Sequence, residues 1–486
     1  MRLKHFYKIV LLLIVTGFSV SCSKNGDLAP QLTVSVKTVS FEPEGGTLDS
    51  ITIVANSKWS INNPASSWLQ LTQTNGNGGT TVITLTALSN DTKFSRSVTL
   101  NVAADNGQAR IITVTQLGKL YPSYNLTPIA PDSTGMSSNA VQLAAKMQMG
   151  MGINFGNTME SPQEADWQNS KLTESYVKYV KSLGFNSVRL PCNWVWTHLS
   201  DRSKAKIDPA WLARVKEVVG WCVANDMYVI LNSHDSPNAN AIKQDSVNAM
   251  QKAIWQQIAT EMRDFDEHLI FAGLNEPPVE DAQQMAILNG YHETFIKAVR
   301  STGGRNSYRV LLVQAPTTDA NKAATLMKTL PTDKVPNKLM VELHDYTPSL
   351  FTIVTDGDVS WGKMIYYWGA GNHSTIEPDR NATFGEEDVV ISEFQKSKER
   401  FIDNGIPVIL GEYGLWRRNA IHNSNYLPLD MEKHNQSVNY WTKYVTKQAK
   451  EHGLMPFWWE TGFMLDRKNN AILDQPMYDA LVEAYK

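Results

Sequence analysis

Two glutamates stand out because each directly follows a short apolar run. Glu276 comes after Leu269-Ile270-Phe271-Ala272-Gly273-Leu274-Asn275, and Glu412 after Ile406-Pro407-Val408-Ile409-Leu410-Gly411. A carboxylate at the end of a buried strand is held firmly yet still reaches a cleft. Two of them facing one cleft can cut a glycosidic bond, one donating a proton to the leaving oxygen while the other acts on the sugar carbon. Asn275 directly precedes Glu276, and other strand-like runs end on residues that ionise, hydrogen-bond or stack, namely Arg189, His234, His344, Tyr346 and Trp459. Any one such Arg, His or Tyr is more often a structural hydrogen-bonder than a catalyst. It is their recurrence at successive run ends that calls for a single site. Glu342 lies two residues before His344 and shares its face by strand alternation, so it is expected as a buried supporting carboxylate and not as a third catalyst.

The elements that must position these residues alternate along the chain. Strand-like runs cover 149–153, 187–190, 228–232, 269–274, 309–314, 339–343, 407–410 and 456–459. Between them lie amphipathic stretches such as 209–225, where Leu212, Val215, Val218, Val219 and Val223 recur at helical spacing. Eight strands alternating with helices predict an α/β fold, a (β/α)8 TIM barrel, in which functional residues gather at the C-terminal strand ends. A doubly wound sheet fits less well, because no glycine-rich phosphate loop follows the first strand.

Ahead of the barrel the character is different. Residues 32–118 hold short alternating β-branched runs, including Ser50-Ile51-Thr52-Ile53-Val54 and Arg110-Ile111-Ile112-Thr113-Val114, separated by glycine and asparagine turns. That spacing predicts a small all-β antiparallel sandwich. Trp59 and Trp68 in it are expected in the core in preference to serving as sugar platforms. Residues 119–138, with Pro122, Pro128 and Pro131, have a linker's composition, and 139–486 form the barrel domain. At the N-terminus, Arg2, Lys4 and Lys8 precede an apolar stretch over 9–18, too short to span a bilayer, and small residues lead into Cys22. Residues 1–21 therefore read as a signal peptide resembling that of a bacterial lipoprotein, with Cys22 as the lipid anchor and 22–31 as a tether. The expected location is outside the cytoplasm on a bacterial membrane, with Ser23 leaning towards the outer one.

Composition narrows the function classes. The 486 residues carry 45 Lys+Arg against 48 Asp+Glu, a net charge of −3, which disfavours a chain-wide nucleic-acid surface. With 42% hydrophobic and 19% charged residues the chain is globular, not disordered. Besides Cys22 there are only Cys192 and Cys222, in no metal-ligand spacing and expected as free buried thiols, and the ten His are scattered singly. No metal or cofactor is implied. A monomer is the default expectation.

The large domain resembles glycoside hydrolase family 5, the cellulase A family of retaining β-glycanases. The resemblance rests on "GMGINFGNTMES", "GFNSVRLPCNW", "DMYVILNSHD", "LIFAGLNEP", "VELHDYTP", "IPVILGEYG" and "FWWETG", in the family's order over about residues 140 to 486. It implies that Glu412 is the nucleophile and Glu276 the acid/base, after strands seven and four. It further implies that Arg189 and Tyr346 attend the nucleophile and that His344 orients the acid/base. Asn275 and His234 would bind sugar hydroxyls, and Trp459 would form the stacking floor. Of the neighbours Trp458 and Trp459 only one can face inward, and Trp459 is chosen because it precedes Glu460 as in relatives. One departure is Asp235, where many relatives carry a second His. Trp194, Trp196, Trp361, Trp368 and Trp416 lie near strand ends and are candidates for either subsites or core.

The small domain is similar to the BACON domain, an immunoglobulin-like module, and is expected to act mainly as a spacer. The implied activity is endo-hydrolysis of a β-1,4-linked polysaccharide, foremost cellulose-type or mixed-linkage glucan, with xyloglucan and β-mannan as rivals. Two other classes are a non-catalytic glycan-binding lipoprotein, disfavoured by the intact Glu276, Glu412, Arg189 and Asn275, and an adhesin that binds through its β domain.

Overall fold

The computed structural model describes residues 29–47, 50–124, 128–167, 169–235, 244–419 and 425–486. The expected signal segment and Cys22 lie outside the described residues. The chain divides into two units at Lys119–Leu120.

In the smaller unit, Leu32–Val34, Ile51–Ala55 and Gly79–Ile83 form one sheet, and Thr38–Phe41, Ala109–Gln116, Arg96–Ala104, Trp59–Asn62 and Asn75–Gly76 a second. Alternation places Ile51, Ile53 and Ala55 in the core. Trp59 is buried there, and Trp68 packs at its edge under the Arg96 guanidinium, 4.5 Å from the ring centroid. The domain's own packing thus engages both indoles. One pairing departs from the antiparallel expectation, because Thr38–Phe41 runs parallel to Ala109–Gln116. The chain changes sheets between Val34 and Thr38, and the path of such a crossover, unlike side-chain alternation, leaves no local sequence pattern.

The larger unit is a closed barrel of eight parallel strands: β1 (Met151–Phe155), β2 (Phe185–Leu190), β3 (Tyr228–Asn232), β4 (Leu269–Ala272), β5 (Leu311–Gln314), β6 (Leu339–Asp345), β7 (Val408–Tyr413) and β8 (Met455–Glu460). All eight expected strands are present, with ends shifted by a few residues. Their outward side chains, such as Val188, Leu190, Val229, Leu231, Val341 and Leu410, pack against surrounding helices in one large core. Each fully buried aliphatic side chain there contributes about 1.5–3 kcal/mol. In helix Pro209–Ala224, Asp208 caps the N-terminus by accepting from the Ala210 N–H, Pro209 occupies the first turn, and Trp211, Val215, Val218, Val219 and Cys222 face the core. Cys192 and Cys222 are free and buried.

The barrel interior is divided along its axis. At the bottom Ile230, Ile270, Leu312, Met340, Ile409, Met455 and Phe457 form an apolar plug, joined by Leu143 and Met147 of helix Ala140–Met147. Nearer the top, the inward positions carry Asn154, Arg189, Asn232, Gln314 and Glu342, all buried. The apolar layer anchors the strands, and the polar layer above it supports the site.

Residues 119–138 are not a free linker. The described residues among them from Leu120 onward, 120–124 and 128–138, lie against the barrel unit: the Tyr124 N–H donates to Gln256 Oε1 (3.0 Å), and Ile129–Pro131 pairs with Gly303–Gly304. Met136 is buried. The prolines restrict this segment without freeing it, because its aromatic side chains and backbone groups find partners on the barrel.

Candidate active site

Glu412 owes its direction to an irregularity in β7. Ile409 faces inward and Leu410 outward, so simple alternation would turn Glu412 outward with Leu410. The register with β6 shifts here: Leu343 pairs with Leu410 but His344 with Glu412, leaving Gly411 as an extra residue. This bulge re-aims Glu412 into the barrel beside His344. Glycine is needed at the extra position, since a Cβ on Gly411 would lie 2.1 Å from Glu342 Oε1.

Arg189, fully buried on β2, organises the cluster. Its Nη1 donates to Glu412 Oε1 at 2.8 Å and to Asn154 Oδ1 at 3.0 Å. Its Nε donates to Glu342 Oε1 at 2.7 Å, and its Nη2 to Asn275 Oδ1 at 2.9 Å. Burial opposes the guanidinium charge, but Glu342 and then Glu412 outweigh it and raise its pKa. The same guanidinium charge holds the Glu342 carboxyl below its usual range against burial. On the other side of the nucleophile, the Tyr346 hydroxyl donates to Glu412 Oε2 at 3.0 Å. Burial and the Glu412 charge push that phenol well up, which keeps it a donor.

Glu276 sits just beyond β4 with its side chain 45% exposed, whereas that of Glu412 is only 6% exposed. The His344 Nδ1 lies 2.7 Å from Glu276 Oε1. Burial opposes charge on this imidazole, yet the Glu412 charge and the bonds to Glu276 and Glu342 overcome it and push the pKa up to about 9. Burial would raise Glu276, but the His344 hydrogen bond and charge lower it. These two directions describe one proton held between the pair, resting on the imidazole side in the free protein. Donor atoms of Glu276, His344 and Glu412 lie within 4.8 Å of one another. The Glu276–His344 hydrogen bond and the His344–Glu412 ion pair at 3.6 Å account for that closeness without an ion.

His234 and Trp459 border the same space. Asn275 turns its Nδ2 towards His234 Nε2 at 3.3 Å, and the His234 ring stacks beside Trp459 with centroids 6.2 Å apart. Burial, then the Arg189 and His344 charges, push His234 down to about 3, so it works as a neutral hydrogen-bonding ring. On β8, Trp459 continues the inward series of Met455 and Phe457 and is half-buried, while Trp458 packs outward edge-on to Tyr413.

The structure therefore brings together Arg189, His234, Asn275, Glu276, His344, Tyr346, Glu412 and Trp459. It adds Asn154 and Gln314, which sequence reading missed. Asn154 accepts from Arg189 and donates to the Gly411 carbonyl at 2.8 Å, bracing the bulge. Gln314 donates to Glu342 Oε2 (2.6 Å) and accepts from the Leu274 N–H (2.9 Å), linking that carboxylate to the turn before Glu276. A polar residue at the upper inward position of a barrel strand was the available signal for both. Asp235 proves to be a loop brace, its Oδ2 accepting from the Trp194 and Val195 N–H groups at 3.0 and 3.2 Å. The candidate aromatics divide: Trp194 and Trp368 are core, Trp196 and Trp361 are exposed, and Trp416 packs against Phe463 with the rings tilted by 60°.

A (β/α)8 barrel with a close carboxylate pair at its C-terminal end, one of them ion-paired to a buried arginine, defines a glycoside hydrolase. A family model described as cellulase (glycosyl hydrolase family 5) matches residues 147–464, and the BACON model, described as a proposed N-terminal binding domain, matches 57–117. The chain belongs to glycoside hydrolase family 5. It is similar to the xyloglucan-specific endo-β-1,4-glucanase of Bacteroides ovatus, at 32% identity over 482 residues, 94% of this chain and 91% of that protein. It is 28% identical over 382 residues to endoglucanase A of Paenibacillus barcinonensis, covering 71% of this chain and 90% of that one. Among solved structures, the Bacteroides ovatus family 5 xyloglucanase in complex with an XXXG heptasaccharide aligns with a TM-score of 0.68 and 29% identity, covering 94% of this chain and all of that one.

Proposed function

We propose that the protein is a retaining endo-β-1,4-glucanase acting by double displacement. One carboxylate oxygen of Glu276 and one of Glu412 lie within 4.8 Å, and this observation carries the reading. Retention needs carboxyl groups about 5–5.5 Å apart, whereas inversion leaves about 6.5–9.5 Å for an intervening water. Glu412, ion-paired to Arg189 and hydrogen-bonded by Tyr346, attacks the anomeric carbon and forms a glycosyl-enzyme. Glu276, open to the cleft, protonates the departing oxygen and then takes a proton from the water that releases the sugar. Asn275 and His234 are the candidates for hydroxyl contacts at the cleavage point, and Trp459 for the floor beneath the sugar.

Cellulose-type and mixed-linkage glucans share a β-1,4-glucosyl backbone with xyloglucan, so the same chemistry serves all three. The likeness to the Bacteroides ovatus enzyme across both domains favours xyloglucan as the second reading. Rates and product lengths on carboxymethyl-cellulose, barley β-glucan, xyloglucan, glucomannan and galactomannan test this choice. Mixed oligosaccharides from the unbranched glucans at rates matching or exceeding xyloglucan support the endoglucanase. Turnover confined to xyloglucan selects the alternative, and binding without release from any of the five overturns the enzyme.

The N-terminal sequence supports a lipid tether at Cys22 that holds the enzyme at a membrane, where released oligosaccharides are produced close to the cell. Cys22→Ser is expected to move the protein from the membrane to the soluble fraction, and unchanged membrane association would contradict the tether.

A further inference from the structure

Glu342 takes no part in the two-carboxylate scheme, yet it is fully buried at the centre of the cluster. Its Oε1 faces Arg189 Nε at 2.7 Å and His344 Nε2 at 3.3 Å, and its Oε2 accepts from Gln314 at 2.6 Å. His344 thus lies between two carboxylates, with Nε2 towards Glu342 and Nδ1 towards Glu276 at 2.7 Å. A neutral imidazole carries one N–H and one lone pair. Ion-paired to Arg189, Glu342 stays an acceptor and requires the N–H at Nε2. Nδ1 is then left to exchange a proton with Glu276.

We propose that Glu342 is a positioning residue for proton transfer, fixing the Nε2–H of His344 so that the one mobile proton of the site passes between His344 Nδ1 and Glu276. This rests on Glu276 being the acid/base. In the first half-reaction the Nδ1–H bond breaks, the proton passes through the Glu276 carboxyl group to the glycosidic oxygen, and the C–O bond to Glu412 forms as the leaving C–O bond breaks. In the second, a water proton returns through Glu276 to Nδ1 while the water oxygen displaces Glu412 from the anomeric carbon. Glu342 itself neither gains nor loses a proton, and its carboxyl is held down to about 2 because Arg189 and the His344 hydrogen bond outweigh burial.

The charged groups facing His344 are Glu342 on its own strand, Glu276 beyond β4, Glu412 on β7 and Arg189 on β2, with Tyr346 and neutral His234 nearby. Removing the Glu342 charge takes away one anion that favours the protonated imidazole. It also lets a neutral His344 turn its single N–H to Glu276 and hold that group ionised. Both effects move loss of the working proton to lower pH.

The test is the pH profile of kcat/KM for Glu342→Gln on a β-glucan oligosaccharide and on 2,4-dinitrophenyl β-cellobioside, whose leaving group needs no acid. The alkaline limb on the oligosaccharide is expected to fall by about 1–2 pH units, and the aryl glycoside is expected to lose far less rate. Glu342→Asp, which keeps the charge, should return the limb towards wild type. A folded Glu342→Gln variant with an unmoved limb overturns the proposal, as does equal loss on both substrates at every pH, the mark of a purely structural role. Independently of any variant, nitrogen-15 NMR of the wild type should find His344 Nε2 protonated on both sides of the limb, and a bare Nε2 overturns the proposal. Glu276→Gln, run alongside, separates the two ideas. If it hydrolyses the oligosaccharide like wild type, the assignment of Glu276 fails; if it does not and only Glu342→Gln is silent, the proton-positioning idea alone fails.

Discussion

Glu412→Ala is expected to abolish glucan hydrolysis, with kcat/KM falling on the order of 10⁵-fold or more. The size follows from the proposed role: without this carboxylate no covalent bond forms at the anomeric carbon, and Glu276, the other carboxylate open to the cleft, is assigned to the leaving oxygen. Glu342 is nearest in type but is spent on Arg189, Gln314 and His344. The fold should survive, because Arg189 keeps Glu342, Asn154 and Asn275 as partners. The cavity left by the side chain admits a small anion. Azide added with 2,4-dinitrophenyl β-cellobioside should therefore restore turnover and give the α-glycosyl azide, since attack comes from the face Glu412 has vacated. Hydrolysis by purified Glu412→Ala within tenfold of wild type would remove Glu412 from the nucleophile's place.

Glu276→Ala is expected to lose about 10²–10⁴-fold on glucan but far less in forming the glycosyl-enzyme from the dinitrophenyl glycoside. The sugar alcohol needs a proton to leave; dinitrophenolate does not. Water attack is slowed as well, so the covalent intermediate should accumulate after a burst of dinitrophenolate. Azide should discharge it as the β-glycosyl azide, the opposite anomer from that made by Glu412→Ala. Burst kinetics and the anomer of the azide product check this, and an equal loss on both substrates would contradict the assignment. The exposure of Glu276 is consistent with this role, since a proton donor has to meet a departing group in an open cleft.

Much of the site was legible because barrel strands repeat one rule. Apolar inward residues lie low and polar ones high, so a polar residue ending an apolar run marks the site. Alternation alone left Trp458 and Trp459 undecided, and the choice of Trp459 rested on its place before Glu460 as in relatives; in the structure it continues the inward series of Met455 and Phe457. Glu412 is the instructive exception. Its position after an apolar run suggested a role, but strict alternation from Leu410 would have turned it outward. Only the extra residue Gly411 reverses it, and a bulge is a property of pairing with β6, not of β7 alone. Asn154 and Gln314 escaped notice for a related reason, since their importance lies in partners far away in sequence, the Gly411 carbonyl and Glu342. The segment 119–138 has a linker's prolines, and its docking on the barrel depends on long-range contacts such as Tyr124 with Gln256. Trp194 and Trp368 show the same limit, because an indole near a strand end reads alike whether it faces sugar or core.

On the proposed mechanism, Glu276 and Glu412 carry out two successive displacements at the anomeric carbon. Proton NMR of the first sugar released by wild-type enzyme from a β-1,4-glucan oligosaccharide, recorded before mutarotation, tests it most directly. Two inversions restore the starting configuration, so the β-anomer is expected first, with the α-anomer rising only as the sugar equilibrates. An initial α-anomer would mean a single displacement by water and would rule out a glycosyl-enzyme on Glu412.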